Sequence, residues 1–410
     1  MKRFNRHWDP GFKYPYPKKR TVFHDLVKSL DTRFIVQIVG LRRTGKTVLM
    51  FQLINHLIDR GVNPLRILYF TFDEEKAEID EIIKEFEKVG GFDTQEKVYI
   101  FLDEIQKLPD FEGQIKIYYD LYPNIKFFIS GSTSLFIRKK TRESLAGRVK
   151  SFFIGPLSFK EYLFFIDRAY LLDNFRLYFS DIEKEFEKYL FSQFIEAIEL
   201  PHLDDKKEYY RSIIETIVYK DIPTLFPIEY PELLLRIVKI VGAKPGILVD
   251  YKALSNDLGV SNKTLSLYFS YLVDSFLMRK IYNFSPNLLT SEKKLKKFYL
   301  SSPSLSWAVS DNFNISLLVE NVVLSVSDYK YFWQDPYKHE VDFVSVNDGV
   351  FTPIEVKYKS KINLRDIKGL RAFSRRFKIN NGILLAKVSE SEILKTNDLK
   401  IAVEPVYLWV

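Results

Sequence analysis

The sequence predicts an α/β chain: a parallel sheet with a phosphate-binding loop, then a helical stretch, a helix-turn-helix with a wing, and a second α/β domain. Three observations carry this. Gly40-Leu41-Arg42-Arg43-Thr44-Gly45-Lys46-Thr47 fits the pattern G-x-x-x-x-G-K-[ST] and lies between a β-branched apolar run and an amphipathic one. A second apolar run, from Lys97, ends in Asp103-Glu104. Near the end of the chain, Asp342 and Glu355-x-Lys357 fall on two runs joined by the turn sequence Asn347-Asp348-Gly349.

Composition bounds the rest. A chain of 410 residues, 46% hydrophobic and 28% charged, has the make-up of a globular protein of two to four domains. It has no cysteine, which excludes disulfides, thiolate metal sites and cysteine nucleophiles. Its first residues are charged and lack the apolar run of a signal peptide, and no stretch reads as a transmembrane helix. The expectation is a cytoplasmic protein with no membrane partner. A net charge of +8 is compatible with nucleic acid, DNA or RNA.

Taken in order, residues 1–20 are basic and aromatic, and Pro15 and Pro17 block a helix. An extended arm is expected, either a loose terminus or a contact to a partner. Residues 21–30 read as a short helix. Residues 33–39 read as a buried strand, and the apolar run from Val48 to Leu57 as a helix packed on the sheet. Between them, the glycines let backbone N–H groups turn inward around phosphate oxygens, and the helix start adds partial positive charge. Gly40 to Val48 are the expected nucleotide contacts, with Lys46 reaching the β- and γ-phosphates and Thr47 bringing its hydroxyl to Mg²⁺.

Residues 65–72 read as the next strand. At the end of the 97–104 strand, Asp103 is expected to hold Mg²⁺, directly or through water, and Glu104 to orient and deprotonate an attacking water. Ile125 to Thr133 form another buried run, and Ser132 is the candidate γ-phosphate sensor. Arg148 is a candidate for stabilising transition-state charge, in cis or from a neighbouring subunit; a plain surface arginine is the alternative.

GLRRTGKT, IFLDEIQ, FISGSTSLFI and LAGRVKSFFIGPLSFKEYL, in that order, resemble the ATP-binding domain of a widespread family of prokaryotic AAA-type ATPases. Gln106 and Pro156-Leu157-Ser158-Phe159 match as well, and the likeness covers about residues 20–165. It implies a P-loop NTPase core, ATP rather than GTP, and Mg²⁺. Because sites of this type often use a neighbour's arginine, a homo-oligomer is compatible with it.

Residues 159–230 carry Phe, Tyr, Leu, Glu and Lys at helical spacing, so a helical lid or linker is expected over 166–230. Tyr210 to Ile222 resembles the helix that follows the core in this family. The family's Gly-Gly-Phe-Pro-type turn is replaced here by Phe194 to Pro201. Residues 231–285 read as a winged helix-turn-helix. A first helix runs to Leu258, Gly259 makes the turn, Ser261 caps a second helix, and a hairpin wing spans Leu277 to Phe284. Lys263, Thr264 and Ser266 would face DNA, or the module would serve as scaffold.

In residues 286–410, alternation puts Glu355 and Lys357 on one face of a strand beside Asp342. Two carboxylates sharing Mg²⁺ with an adjacent lysine is the arrangement of the PD-(D/E)xK nucleases, which this region resembles. The likeness implies Asp342, Glu355 and Lys357 as catalytic. It also implies Glu320, on the preceding helix, as a further metal ligand. The run also resembles an uncharacterised C-terminal domain that accompanies this ATPase type. Two readings follow: an ATPase coupled to a nuclease-like domain acting on nucleic acid, or a signalling ATPase whose later modules bind without cutting. A translocase or loader is a third.

Overall fold

The computed structural model describes residues 1–90, 97–131, 145–396 and 399–410. The chain divides into two compact units, one of residues 1–155 with 274–276, the other of residues 156–273 with 277–410.

The first unit is built on strands β1 (Ile35–Gly40), β2 (Ile67–Thr71), β3 (Val98–Asp103), β4 (Ile125–Gly131) and β5 (Val149–Ile154). All pair in parallel, in the order β2-β3-β4-β1-β5. β1 to β4 are buried along their whole length, so their runs are mostly apolar rather than alternating, with Gln37, Lys126 and Ser130 as buried polar exceptions. The helix Lys46–Asp59 buries Leu49, Met50, Leu53, Ile54 and Leu57, and the helix Ile79–Gly90 buries Ile79, Ile82, Ile83 and Phe86. These are stripes at three- and four-residue steps. The parallel ladder brings the C-terminal ends of all the strands to one edge, where the glycine-rich loop leaves β1.

The N-terminal segment departs from the expected extended arm. Lys2–Phe4 and Arg6–Trp8 form two 3₁₀ turns. Asn5 donates to the carbonyl of Tyr69 (3.0 Å) and accepts from its N–H (2.6 Å), mimicking a further strand on edge strand β2. Nε2 of His7 and Nε1 of Trp8 both meet the carbonyl of Ile67 at 2.9 Å. Side chains here satisfy backbone groups that an open sheet edge would leave free.

His7 is buried, and that burial lowers its pKa from 6.5 to about 4, against the opposing pull of the Ile67 carbonyl. A neutral ring in the fold and a protonated one in the unfolded chain give stability that is full above pH 6.5 and is lost as pH falls towards 4. The contribution is up to about 3 kcal/mol. His7→Gln, followed by melting temperature against pH, is expected to flatten that acid limb. Identical slopes for the two proteins would show that His7 does not drive it.

The second unit begins with helices from Phe159 to Leu225, joined by short turns. The first of these, Phe159–Phe165, opens with a capping box between Ser158 and Glu161. Then come the helix Pro231–Ala243, β6 (Ile247–Val249), the helices Tyr251–Leu258 and Asn262–Asp274, β7 (Met278–Asn283) and β8 (Lys296–Leu300). Asp250 caps the second of these helices, Gly259 ends it in the left-handed region at φ 69°, and Ser261 Oγ accepts from the N–H of Thr264. The segment expected as a two-stranded wing, Leu277 to Phe284, is one strand, β7; its partner is β8, and β8 in turn pairs with β6. A strand on the far side of residue 285 thus completes this small antiparallel sheet.

The sheet does not stop there. β9 (Tyr331–Gln334), β10 (Glu340–Asn347), β11 (Val350–Lys357), β12 (Asn381–Ala386), β13 (Glu392–Lys395) and β14 (Lys400–Pro405) extend it to nine strands. The order is β13-β14-β12-β11-β10-β9-β7-β8-β6. β10 and β11 form a hairpin through Asp348 (φ 48°) and Gly349 (φ 80°), the two-residue turn that Asn347-Asp348-Gly349 predicts. The helices Ile315–Ser325 and Lys368–Phe377 pack against this part of the sheet, Val319, Val322 and Val323 in one core cluster and Leu370 and Phe373 in another.

Candidate phosphate-binding and carboxylate sites

The loop between β1 and the helix Lys46–Asp59 has the backbone a phosphate cradle needs. Gly45 and Arg43 both have left-handed φ, 89° and 63°. A Cβ at Gly40 would lie 2.1 Å from the carbonyl oxygen of Ile154 at the end of β5, so only glycine fits where the loop leaves the sheet. The Lys46 ammonium, itself buried, donates to the carbonyls of Gly40 (3.1 Å) and Leu41 (2.9 Å). Thr44 Oγ1 donates to Leu41 O at 2.8 Å, and Arg20 bonds both the Thr44 carbonyl (3.2 Å) and Gly155 (2.7 Å). Leu41, Arg42 and Val48 take their places in the loop and in the first helical turn.

Asp103, at the end of β3, is brought to this loop. Its Oδ2 accepts from Thr47 Oγ1 at 2.6 Å and from the Tyr69 phenol at 2.8 Å. Its Oδ1 accepts from the Ser130 hydroxyl and from the N–H of Glu104. Burial, and then the Asp103 charge, push the Tyr69 phenol far above its usual range, so it remains a donor. Glu104 follows in a left-handed conformation (φ 53°), with its carboxylate accepting from Gln106 Nε2. Non-glycine residues held there collect at functional sites. Hard oxygens from Thr47 and Asp103, at the helix start, are the donor set Mg²⁺ takes.

Ser132 lies outside the described residues. Ser130 and Tyr69, neither of them part of a phosphate-loop or strand-end acid motif, also belong to this cluster through Asp103. The available signal for Ser130 was a hydroxyl inside an otherwise nearly apolar buried strand, β4. Arg148 is not brought to the loop. Its carbonyl accepts from the N–H of Ile35, the start of β1, whereas the loop follows the other end. Six residues of strand separate the two, about 17 Å. The guanidinium pairs with Asp120 (3.1 and 3.2 Å) and lies over the Tyr119 ring.

In the second unit, the four residues singled out near the C-terminus do converge. Asp342 on β10 and Glu355 on β11 are cross-strand neighbours by the ladder register, and the pairing of β10 with β9 is irregular between Val341 and Val344. Bulges of this kind re-aim side chains. Asp342 Oδ2 accepts the Val356 N–H at 2.8 Å. Lys357 Nζ lies 2.5 Å from Glu355 and 3.8 Å from Asp342. Glu320 faces the same group from the helix Ile315–Ser325.

Three further residues complete the cluster: Lys297 and Tyr299 on β8, and Glu340 on β10. The Lys297 ammonium, only 4% exposed, lies 2.6 Å from Glu340, 3.3 Å from Glu320 and 4.0 Å from Asp342. Tyr299 donates to Glu320. Burial and then the Asp342 charge raise Glu320 to about 6, and the same two causes raise Glu355 well above the carboxylate range. Burial works against the charged form of Lys357, but Asp342 and Glu355 outweigh it and hold the ammonium above its usual range. Glu355 Oε2 is buried with no hydrogen-bond partner among the described residues. Also among the described residues, no three His, Asp or Glu side chains converge into a ready-made cation cage; Lys297 and Lys357 sit between the acids.

On the helix Asn262–Asp274, Lys263 and Ser266 are exposed and Thr264 is half-buried. No helix among the described residues is long and apolar enough to cross a membrane.

With this geometry in hand, the likenesses to known proteins fall into place. Residues 32–163 match the profile of the AAA domain, which covers the first unit's sheet and loop. Residues 183–316 match a domain of unknown function (DUF8612), and residues 310–404 match another (DUF4143). The first of these two runs across both the helical stretch and the small antiparallel sheet.

The chain is 27% identical over 399 residues to an uncharacterized protein of Methanocaldococcus jannaschii, covering 87% of this chain and 81% of that one. A second M. jannaschii protein, also uncharacterized, is 28% identical over 359 residues (80% and 75%). An uncharacterized Haemophilus influenzae protein is 29% identical over 276 residues (64% and 66%). Among solved structures, the Aeropyrum pernix ORC1 protein in complex with DNA aligns at a TM-score of 0.34 and 12% identity, over 76% of this chain and 97% of that one. The A. pernix ORC2 protein in its ADP form aligns at 0.33 and 11%, over 78% and 98%. At such scores neither carries an argument, and the AAA likeness stands on the sequence match and the loop.

Proposed function

We propose that the chain is a Mg²⁺-dependent ATPase whose second unit acts on nucleic acid. The observation that carries the first half is the Thr47–Asp103 pair at 2.6 Å, at the mouth of a loop in which Lys46 is already turned inward. Thr47 and Asp103 would hold Mg²⁺, which supplies charge neutralisation at the β- and γ-phosphates. Loop N–H groups and Lys46 orient the γ-phosphoryl group. Glu104, beside Asp103, takes a proton from the attacking water as the new P–O bond forms and the bond to the bridging oxygen breaks. Ser130 and Tyr69 fix the orientation of Asp103 by donating to it.

For the second half, Glu320, Asp342, Glu355 and Lys357 support a nuclease-like reading, and the order helix, strand, two helices, then two strands joined through the short helix Leu288–Lys293 supports a winged helix. Counting Glu340 and Lys297, four carboxylates face two ammoniums. The unpartnered oxygen of Glu355 and the carboxylate of Asp342 beside it fit a divalent cation, whose charge would favour the ionised form of Glu355. Such an ion would supply a hydroxide and stabilise a phosphorane-like charge. A regulatory ATPase with a non-cutting C-terminal domain is the second reading, favoured by the way Lys297 and Lys357 already fill the space between the acids.

ATP hydrolysis by wild type and Lys46→Ala, with and without DNA, tests the first half. Turnover lost in Lys46→Ala and raised by DNA is expected. Wild type without turnover sinks the ATPase reading. Mg²⁺-dependent cutting of plasmid and single-stranded DNA, absent in Glu355→Ala, separates the two readings of the second unit.

A further inference from the structure

The chain's positive charge is gathered in segments. Of its 61 Lys and Arg, nine lie between Lys357 and Lys378, together with a single acid, Asp366, a local net charge of +8. Residues 1–28, in the first unit, are basic too, with eight Lys and Arg against two acids. The segment starts at Lys357 of the carboxylate cluster and runs through a connection into the helix Lys368–Phe377.

On that helix the charges form a row. Leu370 and Phe373 are buried in the core cluster with Val344 and Trp333. Lys368, Arg371 and Arg375 recur at three- and four-residue steps on the opposite side, and Lys378 follows as the C-cap, at φ 55°. Lys368, Arg375 and Lys378 are exposed and Arg371 is half-buried. Helix stability accounts for Arg375 in the last turn, where a cation suits the dipole, but not for Lys368 and Arg371, which give the first turn the wrong sign for a helix N-terminus.

The helix also sits directly on the strands of the cluster. A Cβ at Gly369 would lie 1.7 Å from the Glu340 carbonyl and 3.5 Å from Glu355 Oε2, so a glycine is what lets the first turn seat there.

We propose that this row is a phosphate track that holds a nucleic-acid strand against the Asp342–Glu355–Lys357 site. The proposal rests on the nucleic-acid reading of the second unit and names the surface that does the holding. The row spans about 15 Å of helix, the run of some four or five phosphates along one duplex strand. Its lysines and arginines read backbone charge rather than base sequence, so DNA and RNA of any sequence are expected to bind.

The test is fluorescence anisotropy of the full chain with a labelled single-stranded and a duplex DNA oligonucleotide, across a salt series. Lys368→Gln/Arg371→Gln/Lys378→Gln is compared with Lys88→Gln/Lys116→Gln/Lys160→Gln, three exposed lysines outside both this row and the winged-helix segment, whose loss changes net charge equally. The first variant is expected to weaken binding about tenfold or more and to lower the slope of log affinity against log salt by about 2 to 3. The second is expected to leave both nearly unchanged. Equal weakening by the two variants, or full affinity in the first, overturns the proposal. Binding to anionic lipid vesicles with none to DNA also overturns it.

Should the triple variant melt early, Lys368→Gln and Lys378→Gln singly must each lower the slope by about 1. The nuclease reading fails separately. Wild type that binds through the row but leaves the strand uncut keeps the track and loses the nuclease. Cutting by wild type and triple variant alike does the reverse.

Discussion

Lys297→Met is expected to unfold the second unit at a much lower urea concentration than wild type. The ammonium it removes, itself almost wholly buried, is the counter-ion of Glu320 and Glu340 at 3.3 and 2.6 Å, with Asp342 at 4.0 Å. Taking away one partner of a buried ion pair costs about 3–5 kcal/mol, because the other charge stays behind without compensation. Here three carboxylates stay behind.

The fold has one escape, protonation, and Glu320 at about 6 is already part of the way there. Without the ammonium, which holds the Glu320 pKa down, this carboxyl takes its proton at a higher pH, so the loss is expected to be largest at alkaline pH and to shrink as pH falls towards 6. Adding Glu320→Gln to Lys297→Met should recover part of the midpoint by removing one of the stranded charges. A Lys297→Met protein with an unchanged midpoint at pH 8 would mean that the cluster relaxes without its ammonium and that the lysine is not its counter-ion.

Glu104→Gln should lower ATP turnover by about 10²- to 10⁴-fold, the range a positioned general base supplies, while nucleotide affinity stays close to wild type. Gln keeps the shape and the contact with Gln106 but cannot accept the proton. Asp103→Asn is expected to behave differently. It disturbs a carboxylate that gathers Thr47, Tyr69, Ser130 and the Glu104 N–H, so both binding and turnover should fall. Phosphate release and fluorescent-nucleotide binding, measured on both variants, separate the two roles. If Glu104→Gln turns over at the wild-type rate, the base lies elsewhere.

The phosphate loop was legible because its chemistry needs contiguous residues: two glycines, a lysine and a threonine at fixed steps along one turn. Asp103 was legible for a similar reason, an acid closing an apolar strand. Ser130 and Tyr69 were not, because they reach Asp103 from two other strands and only the sheet order brings them there.

Arg148 was left open by its sequence context between its own nucleotide, a neighbour's and the plain surface. The polarity of β5 fixes which end of the sheet it occupies, and no local pattern encodes that. Lys297 was hidden more thoroughly. It stands in the run Lys293-Lys294-Leu295-Lys296-Lys297, which reads as a solvated face. Its neighbours in the sheet, rather than its neighbours in the chain, make it the most enclosed cation of the cluster. Asn5 was missed likewise, since nothing in a short polar side chain announces that it will pair with a strand edge.

The continuity of the nine-stranded sheet has a mechanical meaning. β8 is hydrogen-bonded to β6 and β7, and the same strand carries Lys297 into the carboxylates of β10. No linker lies between the helices that precede β7 and the acids beyond it. A load applied to the helix Asn262–Asp274 is borne by one elastic plate rather than by two bodies on a swivel. Strain at one end is therefore expected to reach the charges at the other through the strands themselves.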